Sequence, residues 1–139
     1  MSQSIEKVAV LGAGVMGAQI AGHFTNAGIP ALLFDINQKL AQKGADDLTK
    51  MKPAPLYKPK NVKLVEACNY DDHLEKLGDV DLVIEAVAER LNIKHTVYNN
   101  IIPHLKDSVI MTSNTSGIPL GDLITVLPDH LKKRFMITH

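Results

Sequence analysis

Gly12-Ala13-Gly14-Val15-Met16-Gly17, and an acid eighteen residues beyond them at Asp35, are the first positions whose types and spacing suggest chemistry. That chemistry is the cradling of a diphosphate. Gly12 permits a tight turn, Gly14 lets the backbone approach a pyrophosphate with no Cβ in the way, and Gly17 lets a helix pack closely on a strand. Ala13, Val15 and Met16 fill out the turn and are assigned to the cofactor site with the glycines. The unpaired N–H groups at the start of the following helix favour an anion. Asp35 can accept hydrogen bonds from an adenosine ribose, and an acid there repels a 2′-phosphate. Ile36, Asn37 and Gln38 provide no arginine that would bind one. The residues therefore point to NAD rather than NADP. A purely structural glycine turn beside a solvated aspartate, or an FAD site with the same fingerprint, stays open on these residues alone.

The turn acts as a site only if a strand leads into it and a helix leaves it. Lys7 to Leu11 is a short β-rich run ending at Gly12, and small or apolar residues recur at helical spacing from Val15 to Ala27, ahead of Gly28. Ala31 to Phe34 is a continuous apolar run ending at Asp35, as expected of a strand covered on both faces. Asn37 can cap a helix running from Gln38 to about Lys50. Pro53, Pro55 and Pro59 make Met51 to Lys60 an exposed connection. Val62 to Cys68 reads as a third strand, Asp72 to Leu77 as a short helix and Asp81 to Val87 as a buried strand. Leu91 to Leu105 is helical and closes near Pro103, Ser108 to Thr112 is a fifth strand, and a helix starts near Pro119. Phe135 to Thr138 is a sixth strand. Strands alternating with helices in this way predict an α/β, Rossmann-type, doubly wound and mainly parallel sheet of six or more strands, with helices on both faces. Ala86 and Val87 then fall at the carboxyl end of the fourth strand, beside the glycine turn, and are assigned to the cofactor site.

Composition narrows the partners. Lys+Arg and Asp+Glu both number 15 in 139 residues, so no net field draws in nucleic acid or an anionic membrane. The N-terminus has neither the length nor the cleavage site of a signal peptide, and no run approaches a membrane span. The lone Cys68 excludes an internal disulfide, reads as a buried small apolar residue, and fits a reducing, cytoplasmic compartment. One domain covering residues 1–139 is expected. His23 reads as a packing residue on the first helix, and His73, His95, His104 and His130 as surface or capping residues. One cysteine and no suitably spaced histidine pair leave no metal site expected.

Three further stretches, in the same order and separation, make the chain resemble the L-3-hydroxyacyl-CoA dehydrogenase family: Val83-Ile-Glu-Ala-Val-Ala-Glu89, Ser113-Asn-Thr-Ser116 and Arg134-Phe-Met-Ile-Thr-His139. The resemblance implies that Glu89 and Lys94 line the nicotinamide-ribose part of an NAD site, although by residue type alone each reads instead as a solvated charge at a helix start. It implies that Ser116 contacts the nicotinamide end and the substrate oxygen, where a hydroxyl can donate to an oxygen gaining negative charge. Asn114 to Gly117 reads as readily as a turn held by side-chain-to-backbone bonds, with Asn114 holding the loop. Glu85 is expected to have a structural partner. His139 matches the family's catalytic histidine, and imidazole suits the task because its reference pKa, about 6.5, lets it take and return a hydroxyl proton.

The reaction so implied is NAD-dependent oxidation of (3S)-3-hydroxyacyl-CoA to 3-oxoacyl-CoA, of the fatty-acid β-oxidation type, with acyl-CoA as partner. A helical domain following His139 would carry the glutamate that orients the histidine, much of the acyl-CoA cleft and homodimer contacts. A chain stopping at its own base is expected to be truncated and inactive alone. Where relatives have a lysine-rich hairpin that contacts CoA, this sequence has Met51-Lys-Pro-Ala-Pro-Leu-Tyr-Lys-Pro-Lys60, so no CoA-binding residue is assigned. A related β-hydroxyacid dehydrogenase and a non-catalytic dinucleotide-binding module are the competing readings.

Overall fold

The run Val8–Leu11 forms strand β1 with every side chain buried, because it lies at the centre of a sheet covered on both faces. The structure, a computed structural model, describes residues 4–48 and 63–138. The expected connection at Met51 to Lys60 and the residue His139 lie outside the described residues. After β1 come helix α1 (Val15–Asn26), β2 (Ala31–Asp35), α2 (Gln38–Asp47), β3 (Val65–Asn69), β4 (Leu82–Glu85), α3 (Leu91–Ile101) and β5 (Ile110–Ser113). Two one-turn helices, α4 (Leu120–Leu123) and α5 (Asp129–Lys132), lead to β6 (Phe135–Ile137).

The six strands form a sheet in the order β3-β2-β1-β4-β5-β6, and every pairing is parallel. The chain starts in the middle, winds outward to β3, then crosses back to β4 and winds the other way. The point of reversal lies between β1 and β4, where doubly wound sheets place ligands at the strands' carboxyl ends.

Alternation along the strands divides the core. Val8 and Val10 face α1 and α2 with Ala18, Ala21, Ala31, Leu33 and Ala45, whereas Ala9 and Leu11 face α3 with Phe34, Val83, Val97 and Tyr98. The α1 face is built from small residues, so that helix lies close to the sheet. Gly17 shows how close: a Cβ there would stand 1.7 Å from the Gly12 carbonyl oxygen. Gly44 lets α2 approach the turn in the same way, since its Cβ would stand 2.6 Å from the Ala13 carbonyl oxygen.

Several expectations need correction. His23 is exposed on α1, because the buried face of this helix is made by Gly17, Ala18, Ala21, Gly22 and Thr25. The third strand starts later than Val62 and runs to Asn69. The short helix is a 3-10 segment at Leu74–Asp79. The long helix ends at Ile101 and tightens into a 3-10 turn over Ile102–His104, as Pro103 requires. Asn37 does cap α2, its Oδ1 accepting from the Leu40 N–H at 2.9 Å.

Candidate active site at the carboxyl edge of the sheet

Gly12 has φ +106°, a region that favours glycine, and a Cβ there would lie 2.5 Å from the Ala86 carbonyl oxygen. The turn is therefore pressed against the loop after β4. Gly14 differs, since a Cβ built on it meets nothing within 4 Å. The space over Gly14 is open, and Val15 and Met16 beside it are 67% and 56% exposed. Gly14 is also the N-cap of α1, with no side-chain cap and no acid in the first turn. That leaves N–H groups and the positive end of the helix dipole facing the opening, which suits a diphosphate.

Two clefts flank the turn. One, of about 290 Å³, runs between α1 and α2 and includes Ala13, Gly14, Asp35 and Lys43. The other, also of about 290 Å³, lies on the α3 side between the ends of β2 and β4, and Gly12, Asp35, Ala86 and Val87 line it. Asp35 borders both. Its Oδ2 accepts from the Ala13 N–H at 2.9 Å and its Oδ1 from the Ile36 N–H at 2.6 Å, which fixes the carboxylate at the mouth. An ionised carboxylate has about four acceptor positions, so two remain for ribose hydroxyls. The backbone turn, the open Gly14 and this anchored acid fit a dinucleotide.

Past the Val87 side of the cleft, the charged residues form a connected cluster. Lys94, on α3, is buried, with its Nζ 2.6 Å from Glu85 Oε2 and 3.4 Å from Glu89 Oε1, and it donates to the Val87 carbonyl at 3.2 Å. This excludes the alternative of a solvated lysine. Glu85 is fully buried at the end of β4 and has four donors: the Val87 N–H at 3.0 Å, Lys94, and the hydroxyls of Tyr98 and Ser113, each at 2.6 Å. Burial raises the Tyr98 phenol well above its ordinary range, and the neighbouring Glu85 charge adds to this. The expected structural partner of Glu85 is thus a set of four.

Glu89 closes the cluster by holding the loop that carries Ser116. Its Oε1 accepts from the Thr115 hydroxyl at 2.6 Å, while its Oε2 accepts from the N–H groups of Ser116 at 2.8 Å and Gly117 at 3.2 Å, and from the Ser116 hydroxyl at 3.2 Å. The Thr115 hydroxyl and these backbone donors bring the Glu89 carboxyl down to about 2, with Lys94 adding to the effect. The loop is therefore fastened from outside by Glu89 and from within by Thr115, whose hydroxyl accepts from the Ile118 N–H. Asn114 contributes through its backbone, donating to the Glu85 carbonyl at 2.8 Å. Thr115, Ser113 and Tyr98 were not selected from the sequence, since a hydroxyl's partner across β4 and α3 is set by the fold and not by spacing.

Comparison with known proteins places this arrangement. Residues 7–139 match the family model described as 3-hydroxyacyl-CoA dehydrogenase, NAD binding domain. The chain belongs to that family. It is 43% identical over its whole length to a putative fatty acid oxidation complex trifunctional enzyme of Rickettsia felis, covering 20% of that protein. It is 40% identical over 97% of its length to a probable 3-hydroxyacyl-CoA dehydrogenase of Deinococcus radiodurans, covering 41% of it. Among solved structures, the 3-hydroxybutyryl-CoA dehydrogenase of Escherichia coli superposes with a TM-score of 0.82 at 26% identity over 99% of this chain and 30% of that one. The chain thus spans between a fifth and about two fifths of the length of these relatives.

In this 3-hydroxyacyl-CoA dehydrogenase domain, NAD is the family's cofactor, and the expected turn and acid lie together at the point where the sheet reverses. Ala86 and Val87 line the cleft next to Gly12, Gly14 and Asp35. Glu89, Lys94 and Ser116 come together farther along the same edge. Gly17 stands apart as a packing residue. Cys68 is buried, as expected of a small apolar residue, and burial pushes its thiol up to about 12. Among the described residues, no helix is long and apolar enough to cross a membrane.

Proposed function

We propose that the protein to which this domain belongs oxidises (3S)-3-hydroxyacyl-CoA to 3-oxoacyl-CoA with NAD, in the manner of fatty-acid β-oxidation. The observation that carries this reading is the Glu89 clamp: it fixes the Ser116 hydroxyl at the same sheet edge as the dinucleotide cleft, with Lys94 bridging the two. Bound NAD would supply the hydride acceptor. The chain supplies the rest. Backbone N–H groups at Gly14 and the start of α1 hold the diphosphate, Asp35 takes the ribose, and Ser116, its N–H still held by Glu89, turns its one hydroxyl proton from that carboxylate to the substrate oxygen as charge gathers there. His139 is proposed as the base that takes the hydroxyl proton. Family likeness and the reference pKa of imidazole support this role.

The proposal extends to the remainder of the protein. We assign residues 1–139 to the NAD-binding domain and expect a following helical domain that completes the acyl-CoA cleft and makes homodimer contacts. A cytoplasmic location agrees with the lone Cys68. The cofactor part is tested by titrating the chain with NADH and NADPH, and tighter binding of NADPH would overturn the role given to Asp35. For the chemistry, the chain is joined to the helical domain of a relative and assayed with acetoacetyl-CoA and NADH. Near-normal turnover in His139→Gln would remove that residue from the mechanism.

A further inference from the structure

The α3-side cleft contains a polar group that the mechanism does not use. Besides the glycine turn and Asp35, its lining consists of Ile36, Tyr70, Ala86, Val87, Ala88, Ile93 and Val97. Of these side chains only Asp35 and Tyr70 bring polar atoms. The Asp35 oxygens are already anchored by the Ala13 and Ile36 N–H groups. The Tyr70 hydroxyl is buried and has no hydrogen-bond partner.

Register shows where that hydroxyl lies. Asn69 pairs with Asp35 and Cys68 with Phe34, so Tyr70, one residue farther, is on the Phe34 face just beyond the end of the sheet. Its ring stacks on Phe34, with centroids 5.6 Å apart and planes at 19°. Stacked there, the phenol is within reach of the charges of both Asp35 and Glu85, and with burial these raise its pKa well above the ordinary range. Tyr70 thus lines the cleft beside the ribose-binding acid, with its hydroxyl buried. Buried hydroxyls are nearly always paired in a folded protein, and one left unpaired beside a ligand cleft needs an explanation.

We propose that the Tyr70 hydroxyl is a binding residue for the adenosine half of the dinucleotide, and that the cofactor supplies the hydrogen-bond partner it lacks. This deepens the reading of the cleft as an NAD site and rests on it. The phenol serves as the one polar side chain besides Asp35 in a wall that is otherwise aliphatic, while the ring stays fixed by Phe34. A partner present only in the complex has a distinctive consequence. Removing the hydroxyl should harm binding and spare the free protein.

The test compares the full chain with Tyr70→Phe, using NADH and AMP as probes and the melting temperature of the free protein as a second readout. The expected result is affinity about tenfold weaker for both probes, the loss of about one neutral hydrogen bond, with a melting temperature equal to or above wild type. Equal loss for both probes locates the contact in the half they share. Unchanged affinity overturns the proposal, whatever the melting temperature does. Loss for NADH with none for AMP also overturns it, because the contact would then be with the nicotinamide half. Failure of the wild-type chain to bind either probe would instead remove the dinucleotide reading on which the proposal depends.

Discussion

Replacing Lys94 by methionine tests the charge cluster most directly. Lys94 and Glu85 are 2% and 0% exposed and 2.6 Å apart, so water screens neither charge. Methionine keeps most of the stem's volume and deletes the ammonium, which leaves Glu85 with the Val87 N–H and the Tyr98 and Ser113 hydroxyls but without a cation. Breaking one side of a buried pair costs about 3–5 kcal/mol. The three remaining donors put the expected loss near the lower end, about 3 kcal/mol, or roughly 12 °C in melting temperature for a chain of this size. Glu85→Leu should cost at least as much, since it strands four donors. The double variant Glu85→Leu/Lys94→Met should cost less than the sum of the two by about 2 kcal/mol or more, because no lone charge is left behind. Urea unfolding at neutral pH, followed by circular dichroism, gives all three values. A Lys94→Met loss below about 1 kcal/mol, or additive single losses, would refute the claim that these two groups sustain each other.

The glycines of the turn should separate into two kinds. Gly17→Ala places a Cβ 1.7 Å from the Gly12 carbonyl oxygen and should unfold the domain, whereas Gly14→Ala meets nothing within 4 Å and should cost no more than about 1 kcal/mol. Gly14→Ala should nevertheless weaken NADH binding about tenfold or more in a fluorescence titration, since its Cβ occupies the diphosphate's approach; normal binding would move the diphosphate elsewhere. The Glu89 clamp should appear in the acid limb of stability. Its folded pKa of about 2 is below the ordinary 4.5, so the folded state binds fewer protons. Its contribution is complete above about pH 4.5 and is lost as pH falls toward 2. Melting temperatures at pH 7, 5, 4 and 3 should therefore fall less steeply for Glu89→Gln than for wild type. Asp81, lowered by its hydrogen bond from Lys106, titrates in the same direction in both proteins and cancels in the comparison. Parallel curves would show that Glu89 is unclamped in solution.

The parallel sheet was legible because each buried strand is an unbroken apolar run, and because the glycine turn and Asp35 fall where two such runs end. Pattern also located the helices, though Pro103 and the end of α2 set boundaries that periodicity alone blurred. The packing of α1 was harder to read. Its buried face is mostly glycine and alanine, which carry little hydrophobic signal, so residue type points to a larger ring such as His23 as the packing residue although the helix leaves it exposed. Lys94 posed the opposite difficulty. By type it is a surface residue, and only the placement of Glu85 one strand-end away makes its burial tolerable.

The cluster's deeper consequence is that the two halves of the site are not independent structures. Val87 forms part of the cofactor cleft, yet its N–H is held by Glu85 and its carbonyl by Lys94. Ser116 lies on a separate loop, yet Glu89 holds it and meets the same lysine. A cofactor that shifts Val87 therefore pulls on a lysine whose other partners include the serine clamp. Dense interiors transmit such displacements because they deform little. The fully buried pair, expensive to assemble, gives the two loops a common rigid footing, a function that two separately solvated loops could not provide.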